Sequence, residues 1–308
     1  MNKTAVNEFI LLAFSQYNQL QILIFLVILL MYMTTVIGNI IIIGLIKTDL
    51  HTPMYFFIGV FAALEISFVY VTVPKLLANL IIGMENTISV KDCITQLHFF
   101  HFLGCAEGVL LAAMGYDRYV AICQPLRYNN IMNKSICVQL VLGSWITGLI
   151  YATIHSVMTS HLPFCTFEKV HHFFCDVKPV IKLACTDTRL NEITLTTVSG
   201  LVTTGTFLLT MISYCYISGH LLQIRTAKGR CKAFSTCSSH LTIVILFYGT
   251  AMCTYLGPFS EDSIEKDKVA AILFTVVTPT LNPLIYTLRN KEVKRALRKF
   301  LTKSVSKH

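Results

Sequence analysis

Two carboxylates stand where an apolar environment is expected. Glu65 and Glu107 each lie deep inside a long apolar run. A charge in such a place is costly and turns toward an internal polar cavity. Either each carboxyl is protonated and bonded to a neighbouring helix, or the two form a site for a sodium ion or a proton coupled to a change of shape. Asp117-Arg118-Tyr119 ends the third run. That acid–base pair either snorkels to the interface or acts as a latch, with Asp117 holding Arg118 at rest and releasing it on activation. In the last run Pro279 and Pro283 remove backbone donors and demand a kink. Asn282, between them, can satisfy a carbonyl so freed. Phe100, His101, Gly104 and Cys105 recur at helical spacing in the third run. Glycine leaves room there and histidine adds one polar handle, although plain helix packing also uses glycine. That stretch carries no Asp or Glu, so nothing on it pairs with a ligand amine.

The elements that must carry these residues follow from composition. The 308 residues are 54% hydrophobic and 13% charged, about half the charge fraction of a soluble domain. The apolar residues come in blocks, and about 20 of them span a bilayer as a helix. The blocks are Ile22–Ile46, Met54–Leu80, Cys93–Ala121, Ile136–Met158, Ile193–Leu222, Ala233–Leu256 and Val269–Leu288. The reading is an all-α membrane protein, a bundle of seven transmembrane helices. Residues 1–21 form an outer segment, 22–288 the bundle, and 289–308 an inner tail. No cleavable leader is expected, since residues 1–21 lack a basic start and a long apolar stretch. Val293, Leu297, Phe300 and Leu301 share a face opposite basic residues, which predicts an amphipathic helix on the membrane surface.

Charge sets the orientation. With the N-terminus outside, sixteen of the 25 Lys and Arg residues lie inside, as the positive-inside rule requires. The net charge of +9 then serves contact with anionic membrane lipids and not with nucleic acid. Asn2-Lys3-Thr4 is an outer glycosylation sequon, whereas Asn133-Lys134-Ser135 falls inside and is a chance match. Of eleven cysteines, Cys105, Cys123, Cys137, Cys215, Cys231, Cys237 and Cys253 read as small buried hydrophobes. Cys93, Cys165, Cys175 and Cys185 lie outside and suggest two bridges, with three pairings open. His171 and His172 lie nearby, but at no common zinc spacing, so no metal is expected.

Longer motifs now come together. They are Pro53-Met54-Tyr55-Phe56-Phe57, Met114-Gly115-Tyr116-Asp117-Arg118-Tyr119-Val120-Ala121-Ile122-Cys123, Ser213-Tyr214, Lys232-Ala233-Phe234-Ser235-Thr236-Cys237-Ser238-Ser239-His240-Leu241, and Pro279-Thr280-Leu281-Asn282-Pro283-Leu284-Ile285-Tyr286-Thr287-Leu288-Arg289-Asn290. With them the chain resembles the vertebrate olfactory receptors, within the rhodopsin-like G-protein-coupled receptors, from Asn7 to about Leu301. Gly115, where the family usually has Ala, and Tyr70-Val71, where small polar residues are usual, depart from its pattern. The resemblance implies bridges Cys93–Cys175 and Cys165–Cys185. It places Asp117, Arg118, Tyr119, Tyr214, His240, Asn282, Pro283 and Tyr286 in the activation switch, and Glu65 and Glu107 at the ion-site acids. It implies a plasma-membrane receptor for small volatile odorants, coupled to the olfactory stimulatory G protein and raising cyclic AMP.

The pocket so implied lies in the outer half, between the third, fifth, sixth and seventh spans. Phe100, His101, Gly104, Cys105, Val198, Ser199, Val202, Thr203, Tyr248, Met252, Tyr255, Ile272 and Thr275 are expected to line it. That lining suits a small neutral molecule with one or two hydrogen-bonding atoms, such as an alcohol, aldehyde, ketone or ester. A cationic amine would find no counter-ion. His101 beside Cys105 offers the alternative of an acid or a metal-assisted thiol. A transporter would show repeated halves with paired broken helices, which seven spans do not allow. An enzyme is not expected: His-Glu-x-x-His, Gly-x-Ser-x-Gly and phosphate-binding glycine loops are missing from the sequence.

Overall fold

A computed structural model describes residues 7–12, 19–49, 52–82, 87–165, 169–223, 226–255, 264–289 and 293–298. Among them seven helical segments are long and apolar enough to cross a membrane. They fall on α1 (Gln21–Asp49), α2 (Pro53–Ile82), α3 (Val90–Cys123), α5 (Lys134–Ser160), α7 (Arg189–Gln223), α8 (Ala227–Tyr255) and a broken seventh span. The seventh begins as α9 (Ile264–Ile272), passes through a π-helical turn at Leu273–Val277, and ends as α10 (Thr278–Arg289). Two short helices, α4 (Tyr128–Ile131) and α6 (Val177–Ile181), lie in the connections.

Burial is inverted relative to a water-soluble protein. Large apolar side chains such as Ile22, Leu30, Leu201 and Leu209 point outward. Asn39, Glu65, His101, Glu107, Asp117, Arg118, His240 and Asn282 are buried inside. That is the arrangement lipid imposes, since polar groups facing hydrocarbon are left unsatisfied. Helix α3 is the hub and packs on α2, α5, α7 and α8, while α1 packs on α2 and α10. Capping sets where the helices start. Ser89 Oγ accepts from Asp92 N at 3.0 Å at the head of α3, and Asn133 Oδ1 accepts from Ile136 N at 3.1 Å at the head of α5.

A small sheet closes one end of the bundle. Strand β1 (Glu8–Leu11) lies antiparallel to β2 (Thr87–Ser89) and parallel to β3 (Lys169–Val170). Glu8 is exposed while Phe9 and Leu11 are buried, the two-residue period of a strand with one covered face. Phe9 stands edge-on to Phe164 at 5.1 Å. Within residues 1–21, read above as an outer segment, Glu8–Leu11 is therefore a strand of this sheet. Lys75, charged within an apolar run, is explained by it, because its Nζ donates to Thr87 O at 3.0 Å.

Both bridges form as the resemblance implies, Cys93–Cys175 across 82 residues and Cys165–Cys185 across 20. The other cysteines divide. Cys137 and Cys237 are buried, but Cys215 and Cys253 are exposed, against the expectation of burial. Both lie on apolar outward faces, where thiols are tolerated as hydrophobes. Residues 293–298 are helical, with Val293 and Ala296 buried and Lys294, Arg295 and Arg298 exposed. The amphipathic pattern holds over those six residues. Phe300 and Leu301, the Asn2 sequon and Cys231's side chain lie outside the described residues.

Candidate functional site: a cavity at the sheet end and a polar core at the opposite end

At the sheet end, α3, α5, α7, α8 and the seventh span surround a small cavity of about 40 Å³. Its walls include Phe100, His101, Gly104 and Cys105 of α3, Val202 and Thr203 of α7, and Tyr248 and Tyr255 of α8, all expected from the sequence. Gly108, Tyr151, Thr206, Phe247, Ala251 and Phe274 line it as well and were not expected. Val198, Ser199, Met252, Ile272 and Thr275 do not line it. Ser199 sits just behind the wall, its Oγ 2.6 Å from the Tyr151 hydroxyl. Thr275 turns back to donate to Ala271 O at 2.7 Å. Here the π-helical turn is the physical reason: one extra residue per turn rotates Phe274 into the position that α-helical counting gives to its neighbours. Phe274 then packs on Phe68, Phe100 and Phe247.

One charge was missed. Asp176, on the connection after the disulfide cysteine Cys175, is buried against the cavity's histidine. Its Oδ1 lies 2.9 Å from His101 Nε2 and accepts from Val177 N at 2.7 Å, heading α6. The Tyr255 hydroxyl donates to its Oδ2 at 3.5 Å. Burial alone would raise the Asp176 carboxyl, but the His101 bond and the neighbouring His101 and His172 rings outweigh it and hold the carboxyl below its usual range. The expectation of no carboxylate in this layer is thus corrected. The signal was in the sequence: the Cys93 bridge ties residue 175 two turns of α3 from His101, and Asp176 is next. Lys178 anchors α6 on its far side through Asp267 at 3.1 Å.

Toward the other end lies the acid pair. Glu65 accepts from Asn39 Nδ2 at 3.2 Å and from Asn282 Nδ2. Asn282 therefore serves the carboxylate and not a carbonyl freed by proline. Glu107 Oε1 and Asn282 Oδ1 are buried without a hydrogen-bond partner among the described residues.

The opposite end holds the expected switch residues. Asp117 accepts from the Tyr128 hydroxyl at 2.9 Å, and Arg118 Nη1 contacts Met54 Sδ. No ion pair joins Asp117 to Arg118 among the described residues, so the direct latch is corrected: the partner of Asp117 is Tyr128 of α4. The Tyr119 ring lies tilted against Tyr216 of α7, centroids 5.6 Å apart. Tyr214 of α7 and His240 of α8 are joined, hydroxyl to Nδ1, at 2.8 Å, while His240 Nε2 reaches Leu111 O at 3.2 Å. A carbonyl only accepts, so Nε2 carries the proton and Nδ1 accepts from the tyrosine. Pro283 lies within α10, and a Cβ added at Gly38 of α1 would strike it at 2.8 Å. Tyr286 is buried, its hydroxyl without a partner among the described residues. Gly115, a departure from the family pattern, faces Thr210 and His240, where a Cβ would come within 3.3 Å of Thr210 Cγ2. Tyr70, the other departure, points outward.

Comparison with known proteins gives the same picture over nearly all of the chain. The family model described as olfactory receptor matches residues 28–304. Olfactory receptor 12D3 of Homo sapiens is 48% identical, over 99% of this chain and 98% of its own length. Olfactory receptor 10J5 of Homo sapiens is 48% identical over 99% of each. Olfactory receptor 1f45 of Rattus norvegicus is 45% identical over 97% of this chain and 96% of its own. A seven-span bundle with its polar residues turned inward, and a family match over most of its length, lead to one conclusion: the chain belongs to the olfactory receptor family.

Proposed function

We propose that this chain is an odorant receptor of the plasma membrane. In this reading the sheet end faces outside, the sheet-end cavity takes a small, mostly hydrophobic volatile, and the opposite end engages an olfactory stimulatory G protein and raises cyclic AMP. The observation that carries the reading is the cavity: an aromatic-lined space, closed by a disulfide-tied connection, with a few polar atoms to orient a guest. At about 40 Å³ it holds a water or two and no odorant. A ligand must therefore part the side chains and favours the state in which they are already parted, which is a population shift. Tyr214, His240, Arg118 and Tyr286 give that shift a set of contacts to exchange at the other end. Arg118 Nε and the Tyr286 hydroxyl, both buried and unpartnered among the described residues, are poised to find partners in a second state.

Glu65 and Glu107 form the sodium or proton site of this proposal. Oxygen ligands suit a hard cation, and the unpartnered Glu107 Oε1 and Asn282 Oδ1 fit one. The basic residues of the 293–298 helix contact anionic lipid at the inner face. A cyclic AMP reporter screened against neutral volatiles tests the receptor reading, and responses at roughly micromolar concentration are expected for a small ligand. An N-terminal epitope that antibody reaches only after permeabilisation would overturn the orientation.

A further inference from the structure

A second hollow lies at the end of the bundle opposite the sheet. It is a groove of about 630 Å³ between the end of α1, the start of α2, α4 and the start of α5. Ordinary small-molecule sites run to roughly 300–1,000 Å³, whereas the sheet-end cavity has about 40 Å³. Buried Met132 and Cys137 form the floor, and Phe56 stays exposed on the wall. Lys47 of α1 and Lys134 of α5 line the groove and are exposed. Neither lysine has a hydrogen-bond or ion-pair partner among the described residues, and no carboxylate is among the described lining residues. Helices α2 and α5 also begin here, so the positive ends of two helix dipoles add to the two lysines.

Each lysine stands at the end of an apolar stripe. On α5, Val138, Leu142 and Ile146 follow Lys134 at four-residue spacing, and all are exposed. On α1, Gly44, Ile40 and Ile37 precede Lys47 at spacings of three and four, and they too are exposed. Residues so spaced share one face of a helix. These faces belong to spans, so they meet lipid chains, and the charges sit where chains give way to headgroups. An occupant that satisfies the whole surface has anionic groups for two ammonium ions and hydrocarbon for two stripes. A soluble phosphate supplies only the first, and a sterol only the second.

We propose that this groove binds an anionic phospholipid, with its headgroup between Lys47 and Lys134 and its chains along the faces of α1 and α5. Phosphatidylserine fits the charges, since its phosphate and carboxylate offer one anion to each lysine. Asn129 and Thr52 line the same groove and add uncharged polar groups. The groove adjoins the switch: Pro53 precedes Met54, which contacts Arg118, and Asn129 follows Tyr128, which holds Asp117. A seated lipid thus braces α1, α2, α4 and α5 against one another beside that pair. The proposal is independent of the odorant reading; only its assignment to the inner leaflet rests on the orientation given above.

The test uses the full chain, purified in detergent and supplied with phosphatidylserine or phosphatidylcholine of identical acyl chains. Native mass spectrometry counts the lipid retained, and a photo-crosslinking phosphatidylserine locates it. Retention of the serine lipid is expected to exceed that of the choline lipid about ten-fold, with crosslinks at the end of α1, the start of α2 and the start of α5. Lys47→Gln with Lys134→Gln should bring the ratio toward one, and Lys47→Arg with Lys134→Arg should keep it. Arg127→Gln removes an exposed charge at the same end but outside the groove, and should keep it as well. A damaged fold would lower retention of both lipids together, so the ratio separates binding from folding. A ratio near one in the unmodified receptor, a ratio unmoved by the double glutamine variant, or crosslinks confined to other helices would overturn the proposal. Displacement of the lipid by glycerophosphoserine at equal concentration overturns it too, since the chains then contribute nothing.

Discussion

Asp117 and Arg118 are adjacent in sequence, yet their side chains take different partners. Tyr128 holds the acid at 2.9 Å, and Arg118 lies on Met54 of α2. A charge-assisted hydrogen bond is among the stronger kinds, so its loss should free the end of α3. Tyr128→Phe is expected to raise basal cyclic AMP at unchanged surface level, and an unaltered basal signal would remove Tyr128 from the switch. Packing at single residues is equally specific. A Cβ at Gly148 would lie 2.6 Å from Phe102 O, a backbone atom of α3, whereas Gly143 has open space. Gly148→Ala should cost about 1–3 kcal/mol by forcing α3 and α5 apart, while Gly143→Ala should leave the thermal midpoint of the purified receptor within a degree or so. Equal effects of the two would contradict the close crossing. Several of these residues were legible from type alone: Glu65, His101 and Arg118 are polar where lipid excludes polarity, while Tyr214 came only from the family resemblance. The partners Tyr128 and Met54 were not, because a partner is fixed by the approach of distant elements and leaves no local pattern, whereas Asp176 was legible only through the bridge from Cys93 to its neighbour Cys175.

At the scale of elements, local rules read the helices well and broke at two places. The apolar blocks gave the spans to within a few residues, because bilayer thickness sets their length. The seventh span departs from α-helical counting at Leu273–Val277, so Phe274 lines the cavity and Thr275 does not. The sheet was missed because strands of two to four residues carry almost no periodic signal. The connection that packs on this sheet has a pH dependence of its own. Burial drives the His172 imidazole down to about 4, against the pull of the Asp176 charge and of the hydrogen bond to Phe174 O. The unfolded ring binds its proton first as pH falls below about 6.5. The packing of this connection is thus fully stable above that pH and loses stability progressively toward pH 4, by roughly 3 kcal/mol in all. The thermal midpoint of purified receptor should fall between pH 7 and pH 5, and His172→Asn, which retains an amide near the Nδ1 position, should flatten that fall. A midpoint equally pH-dependent in the variant would assign the effect elsewhere.

The whole molecule is a bundle whose two ends are built for different partners. The sheet end is closed by strands, bridges and an aromatic cavity; the opposite end carries Arg118, the Tyr214–His240 pair and an unpartnered Tyr286. Glu65, Glu107 and Asn282 lie in the core between them. A volatile bound at the first end is expected to change the affinity of the second for a G protein, a coupling of two sites through one bundle. The most direct measurement is guanine-nucleotide exchange on an added olfactory stimulatory α subunit, using purified receptor in lipid with and without an agonist from the volatile screen. Exchange is expected to accelerate with the agonist, and the acceleration to vanish in Arg118→Ala while that variant still folds and reaches the surface. Exchange that ignores the agonist in folded receptor, or that persists unchanged in Arg118→Ala, would contradict it.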